Sequence, residues 1–273
     1  MPELPEVETI VRKFRPRVEG RTIRAFRSLW RRQVQPSLAM FRRRVAGKRV
    51  ERLWRRGKFI VADLAPGGHF LIHLRMSGRL EWPAAGEAEP RRLRAVWDFE
   101  DGARLWFVDA RKFGRIVYTE NLAPLTNALG PEPLDASFTC ARLAALLAAR
   151  RRRLKPLLLD QATLAGLGNI YVDEALFRAR LHPLRRSDQL APDEVGALRR
   201  AIRSTLREAI RRNGTSLDWI YPSGRMQDYL RVYGRDGAPC VECGGPIEAL
   251  RVGQRGTHIC PRCQPLRRAD GAP

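Results

Sequence analysis

The chain has 273 residues, with 51 Lys+Arg against 29 Asp+Glu, a formal net charge of +22, and 44% hydrophobic residues. Only five of the cations are lysines, Lys13, Lys48, Lys58, Lys112 and Lys155, which leaves 46 arginines. This balance excludes an acidic or neutral housekeeping globule and makes a polyanionic partner the first expectation; each retained Lys marks a place where Arg would not serve.

Residues 2–19 read as a helix: Pro2 stands where a missing N–H costs least, Glu3 and Glu6 lie in the first turn, and Gly20 stops it. Strand texture follows. Residues 58–64, 69–74 and 95–100 are short, rich in aromatic and β-branched side chains, and bounded by Gly, Pro or Asp. Asp101-Gly102 joins 95–100 to 104–109 as a hairpin. The result is an N-terminal β domain of about 130 residues with one leading helix. LGPEPL at 129–134 suits neither helix nor central strand and reads as a linker. Beyond it the period is helical. Leu143, Leu146 and Leu147 form one stripe, Pro156 restarts a helix through 157–161, 166–169 make a tight break, and Asn169 is placed to cap a helix over 170–178. A longer helix spans 193–212, with Val195, Leu198, Ile202, Leu206 and Ile210 on one side and Arg199, Arg200, Arg203, Arg207 and Arg211 on the others; Asn213-Gly214 ends it. No apolar run approaches the roughly 18 residues of a spanning helix, and the acids of the first ten residues are unlike a signal peptide. A cytoplasmic protein is expected.

The five cysteines are Cys140, Cys240, Cys243, Cys260 and Cys263. Cys240 and Cys243, then sixteen residues, then Cys260 and Cys263 form a four-thiolate set at zinc-ribbon spacing, in a reducing compartment. Four sulfurs complete a tetrahedron with no open position, so one Zn2+ holds fold and performs no chemistry. Cys140, far away beside a helix start, reads as an ordinary buried thiol. Between the cysteine pairs lie Arg251, Gln254 and Arg255, with Gly256 and Thr257 following, as in a turn tip reaching phosphate. Any one of these arginines alone reads as a solvated charge; the metal-stapled hairpin singles out Arg255.

A Met followed by Pro is normally trimmed, which leaves Pro2 with a free secondary amine. An α-amino group titrates near 7.7–8.0, and the positive end of the following helix pushes it lower. Pro2 then becomes a nucleophile near neutral pH. Its attack on an aldehydic carbon gives a cationic iminium, an electron sink suited to elimination, and Glu3 beside it can move the proton. The plainer reading is that Pro2 and its acids simply start a helix.

The motifs decide between these. PELPEVET at 2–9, RGKF at 56–59, HLRMSG at 73–78, DARKFG at 109–114, LGPEPL at 129–134, Lys155-Pro156, GLGNIY at 166–171, VYGR at 232–235 and QRGT at 254–257 occur in one order. In this the chain resembles the formamidopyrimidine-DNA glycosylase and endonuclease VIII family of bifunctional DNA glycosylases, and its PELPE start resembles the formamidopyrimidine branch. The resemblance implies an α+β multidomain fold: an N-terminal β-sandwich with a leading helix over 1–130, a linker at 131–136, a helix-two-turn-helix DNA-binding domain at 137–234, a zinc-ribbon-like β-hairpin at 235–265, and a flexible tail at 266–273.

It further implies that Pro2 attacks C1′ of a damaged nucleotide, that Glu3 donates the proton that opens the sugar, and that Glu6 supports the pocket. Lys58 corresponds to a lysine near the phosphate that serves β-elimination, and Arg255 to the hairpin arginine of the δ step. An enzyme acting on a base inside a duplex must flip it out and fill the gap. Met76, Arg111 and Phe113 match the family's wedge, although alone Met76 reads as a core residue and Phe113 as a strand aromatic. Lys155 and Asn169 match the phosphate-gripping helix-two-turn-helix. The run 150–153, chiefly Arg150, adds salt-dependent backbone affinity. The implied partner is damaged double-stranded DNA, bound by a monomer in the bacterial cytoplasm, associated with the nucleoid.

Two places depart from the pattern. Arg91, Arg92 and Arg94 stand where the family carries histidines, so Arg92 keeps a phosphate contact without a histidine's role. The segment 215–231 is shorter than in typical 8-oxoguanine enzymes, which leaves open an endonuclease VIII-like oxidised-pyrimidine glycosylase; a homologue that binds DNA without catalysis is the other alternative.

Overall fold

A computed structural model describes residues 1–216 and 224–266. The chain divides into two compact units, 1–127 with 213–224, and 128–212 with 225–273. Of the shortened segment, 217–223 lie outside the described residues, as do 267–273 of the expected tail.

The first unit opens with α1 (Leu4–Val18), whose buried Val7, Ile10, Val11, Phe14 and Val18 recur every three or four residues on one face. Glu6 secures its start by accepting the Glu3 backbone N–H at 2.8 Å. The chain continues through β1 (Ile23–Ser28), β2 (Val34–Gln35), α2 (Leu38–Val45), β3 (Arg49–Arg56), β4 (Phe59–Ala65), β5 (His69–His73), β6 (Gly78–Glu81), β7 (Leu93–Phe99), β8 (Arg104–Asp109), β9 (Arg115–Thr119) and α3 (Ala123–Asn127). These strands form a four-stranded sheet in the order β1-β7-β8-β6 and a five-stranded sheet in the order β2-β9-β5-β4-β3.

Alternate residues of both sheets enter one core. Ile60, Ala62 and Leu64 of β4 and Phe70 and Ile72 of β5 meet Ala95, Trp97 and Phe99 of β7 and Leu105 and Phe107 of β8, joined by the α1 stripe. Phe70 and Trp97 stack across the sheets with centroids 5.5 Å apart. This is the sandwich and leading helix that the motifs implied. Trp97→Ala there would cost about 3–5 kcal/mol. Two hairpins follow from local turn chemistry. Gly57 (φ +56) and Lys58 make the two-residue turn between Arg56 and Phe59, and Asp101-Gly102 (φ +83) turns β7 into β8.

The second unit contains α4 (Cys140–Ala148), α5 (Leu154–Leu159), α6 (Asn169–Arg178), α7 (Pro192–Arg211), β10 (Glu248–Val252) and β11 (Arg255–Ile259). Three local expectations are corrected. Pro156 lies inside the first turn of α5, where no N–H is required, because extended Arg153 takes the cap position. Asn169 is the first residue of α6 and not its cap; extended Gly168 takes that position. Cys140 is exposed, because Thr139 caps α4 and turns its first residue outward.

Candidate functional site

In the first unit Pro2 is buried beside Met1, and Glu3 and Glu6 have 3% and 4% exposure. Glu6 is fixed from two directions: besides the Glu3 N–H, its Oε1 accepts the Thr215 N–H at 2.8 Å. Gly214 (φ +74) packs so tightly that a Cβ there would lie 2.5 Å from Glu6 Oε1. Glu6 therefore ties the start of α1 to Gly214 and Thr215, which belong with this unit.

Lys58, 6% exposed, sits in the β3–β4 turn. Cross-strand from Phe59 is His73, ring against ring at 4.8 Å. Burial, then the charges of Arg75 and Lys58, lower the His73 pKa to about 3. The imidazole is thus neutral near pH 7, and its Nδ1 accepts the Arg75 N–H at 3.0 Å.

Met76 and Phe113 are exposed, at 42% and 47%, on the β5–β6 and β8–β9 loops. Neither is the core or strand residue its type suggests. The Arg111 guanidinium lies 4.8 Å from the Phe113 ring centroid. Each loop holds a non-glycine residue in the left-handed region, Arg75 (φ 54) before Met76 and Lys112 (φ 61) between Arg111 and Phe113. Such positions cost about 1 kcal/mol or more and persist where surrounding contacts over-determine them. Asp109 supplies those contacts. Fully buried, it accepts from Ser77 Oγ of one loop and from the Arg111 and Gly114 N–H groups of the other, the latter two at 3.2 and 2.8 Å. Arg92 is brought alongside, its carbonyl accepting the Asp109 N–H at 3.0 Å.

In the second unit the hairpin tip is Gly253 (φ 54) and Gln254 (φ 64), a two-residue turn that leaves exposed Arg255 at the start of β11. Asn169 Nδ2 donates to the Gly256 carbonyl at 3.0 Å, and Lys155 Nζ donates to the same oxygen at 2.8 Å. Lys155 and Asp173 form an ion pair of 2.6 Å with no exposure on either side chain, and Asp173 Oδ2 accepts the His258 N–H at 3.0 Å. Lys155 is thus fully buried behind the tip, with its ammonium held by Asp173 and the Gly256 carbonyl. Asn169 Oδ1 is buried without a hydrogen-bond partner among the described residues. Arg150 pairs with Asp160 at 2.9 Å, an acid shared with Arg152 at 3.3 Å, so Arg151, 81% exposed, is the most open charge of the 150–152 run.

The four Sγ atoms of Cys240, Cys243, Cys260 and Cys263 lie within 4.8 Å of one another, with Cys240 to Cys263 at 3.9 Å and Cys243 to Cys260 at 3.5 Å. A tetrahedral zinc with bonds of about 2.3 Å demands edges of about 3.8 Å, so the set fits one ion. A backbone N–H at Gly245 is the main cause holding the Cys243 thiol down to about 7, which favours the ligating thiolate. Cys240, Cys260 and Ile247 also pack on Phe177 of α6 and on Val232, which joins the metal site to the helices. Cys240, Cys243, Cys260 and Cys263 constitute a structural zinc centre.

Sequence reasoning assigned no role to His73, Asp109, Asp173 or Glu174. His73 and Asp109 lie inside quoted motifs. Asp173 stands four residues after Asn169, on the same face of α6, and Glu174 accepts the N–H groups of 231–233 at 2.9–3.0 Å.

With this geometry in place, three family models match in order: the formamidopyrimidine-DNA glycosylase N-terminal domain over 1–116, its H2TH domain over 129–220, and the zinc finger found in FPG and IleRS over 237–266. The chain belongs to the formamidopyrimidine-DNA glycosylase family. Relatives bearing that family name include one from Chloroflexus aurantiacus, 44% identical over 97% of this chain and 98% of its own length, and one from Herpetosiphon aurantiacus, 43% identical over 97% and 100%. Among solved structures, a Lactococcus lactis family member in complex with Fapy-dG-containing DNA has a TM-score of 0.91 at 33% identity, covering 97% of this chain and all of that one. A MutM complex with carbocyclic 8-oxo-G DNA gives the same TM-score and identity.

Proposed function

We propose that this chain is a bifunctional DNA glycosylase and abasic-site lyase of base excision repair, acting on formamidopyrimidines and 8-oxoguanine in double-stranded DNA. The observation that carries the reading is the buried Pro2–Glu3–Glu6 start of α1 in a chain matched by all three family regions. With Met1 removed, the Pro2 nitrogen attacks C1′, the bond from C1′ to the base breaks, and a proton from Glu3 to the ring oxygen opens the sugar. The iminium withdraws electrons, so loss of the C2′ proton breaks the C3′–O bond and a second loss breaks the C5′–O bond. Water then hydrolyses the iminium and frees Pro2. In this scheme Glu6 holds Glu3, Lys58 serves the first elimination beside its phosphate, and Arg255 the second.

Met76, Arg111 and Phe113 fill the gap left by the flipped base. Arg92, Arg150 and Asn169 contribute to the phosphate contacts, and Lys155 supports them from behind by holding the hairpin tip. Zinc on the four cysteines fixes the hairpin and takes no part in the bond changes. A monomer in the bacterial cytoplasm, associated with the nucleoid, belongs to the same proposal.

Borohydride trapping on a duplex with an abasic site is the test. A covalent adduct is expected from the trimmed protein, and none after its N-terminus is blocked. An adduct that persists after blocking would remove Pro2 as nucleophile. If thymine glycol were excised faster than 8-oxoguanine and formamidopyrimidine, the oxidised-pyrimidine reading would replace this one.

A further inference from the structure

The side chains assigned to the wedge come from loops more than thirty residues apart in sequence, yet one carboxylate holds both loops. Asp109 ends β8 with no exposed surface. Its Oδ1 accepts from the Ser77 hydroxyl and from the Arg111 N–H, and its Oδ2 accepts from the Gly114 N–H at 2.8 Å. Ser77 Oγ in turn accepts the Arg111 N–H at 3.0 Å, so the two loops are joined directly as well. The donors have a common property. Ser77 follows Met76, Arg111 is itself a wedge candidate, and Gly114 follows Phe113; none of the three belongs to the sandwich core.

The surrounding packing enforces the same closure. A Cβ at Gly114 would lie 2.4 Å from the Phe107 ring and 3.2 Å from Asp109 Oδ2, and one at Gly78 would lie 2.5 Å from the Leu74 carbonyl. Both loops are therefore drawn onto Phe107 and Asp109, while Met76 and Phe113 project outward. Exposed apolar side chains on unsupported loops would fold back or disperse among rotamers, and ordering them on binding would cost affinity.

We infer that Asp109, acting with Ser77, is a positioning residue that latches the two loops and presets Met76, Arg111 and Phe113 before DNA arrives. The inference rests on the wedge role proposed above. Asp109→Asn leaves an amide N–H facing one of these donors, so the latch loses a charge-assisted hydrogen bond and meets a donor–donor clash.

The experiment compares the full-length protein with its Asp109→Asn, Ser77→Ala and Phe113→Ala variants. Single-turnover excision of 8-oxoguanine from a duplex is measured against borohydride trapping on a single-stranded oligonucleotide with an abasic site, where no stack has to be opened. Asp109→Asn should lower the ratio of duplex excision to single-strand trapping about 10- to 100-fold. Ser77→Ala, at a half-buried position, should lower it about 3- to 10-fold, and gives the answer if Asp109→Asn does not fold. A normal ratio for both latch variants with a low ratio for Phe113→Ala would overturn the latch alone. Equal loss on both substrates would overturn it too, as the sign of a general structural carboxylate. A normal ratio for Phe113→Ala would remove the wedge reading and the inference with it.

Discussion

Lys155→Met tests whether the buried ammonium acts by holding the fold or by meeting a phosphate. Lys155 Nζ contacts Asp173 at 2.6 Å and the Gly256 carbonyl at 2.8 Å, and both members of the ion pair have no exposure. Removing the ammonium strands a buried carboxylate whose remaining described partners are the backbone N–H of His258 at 3.0 Å and its ring Nδ1 at 3.7 Å. Breaking such a pair from one side costs about 3–5 kcal/mol, which lowers the melting temperature by an amount on the order of 10 °C. The double variant Lys155→Met with Asp173→Leu removes the stranded charge and should recover at least half of that loss. Thermal melts of the zinc-loaded protein give both values.

DNA binding supplies the opposing arm. A side chain that neutralises one phosphate contributes about 0.9 to the slope of log K against log salt. For Lys155→Met, measured well below its melting temperature, the slope should match the parent. A melting temperature within about 2 °C of the parent, together with a slope reduced by about one, would refute the assignment of Lys155 to the interior.

The neutral state of His73 predicts a pH effect on stability. Its folded pKa of about 3 lies below the unfolded value of 6.5, so the unfolded chain takes up the proton first. The contribution is complete above pH 6.5 and is lost as pH falls from there toward 3, by about 2 kcal/mol at pH 5. His73→Asn keeps an acceptor for the Arg75 N–H and should flatten the loss between pH 7 and 5 in urea titrations; an identical loss in both proteins would contradict the reading. Chelating zinc should release the hairpin that carries Arg255, lowering DNA affinity and unprotecting the amides of β10 and β11 in hydrogen exchange. Unchanged protection in the metal-free, reduced protein would show that the thiols hold the fold without zinc.

The features legible in the sequence are those whose causes are local. The Gly57-Lys58 and Asp101-Gly102 turns lie between the strands they join, and α7 declares itself by its apolar stripe. The zinc set is readable because ligand spacing alone fixes the tetrahedron. What failed was decided by distant partners. Asn169 looks like a helix cap, but its amide finds the Gly256 carbonyl 87 residues away, and Gly168 takes the cap position. Met76 has the composition of a core residue, yet left-handed Arg75 and the Ser77–Asp109 contact across 32 residues send it outward. The function of Asp109 could not be read from DARKFG, because its first partner lies in the other loop.

The excess of arginine takes on a physical meaning at the two buried cations. No arginine among the described residues is buried, whereas Lys58 and Lys155 both are. An ammonium has three donors on one compact atom and can direct them to a carboxylate and a carbonyl close together, as Lys155 does. A guanidinium has five donors in a rigid plane and would leave several unpaired in the same space. The rule does not extend to all five lysines: Lys112 Nζ lies over the Trp30 ring at 4.5 Å and Lys48 Nζ over Tyr118 at 5.7 Å, contacts that arginine also makes, as Arg21 does over Trp82 at 5.3 Å. At position 155 lysine is therefore favoured by confinement, where a charge is held wholly inside the protein, and not by charge itself, which the arginines supply in excess.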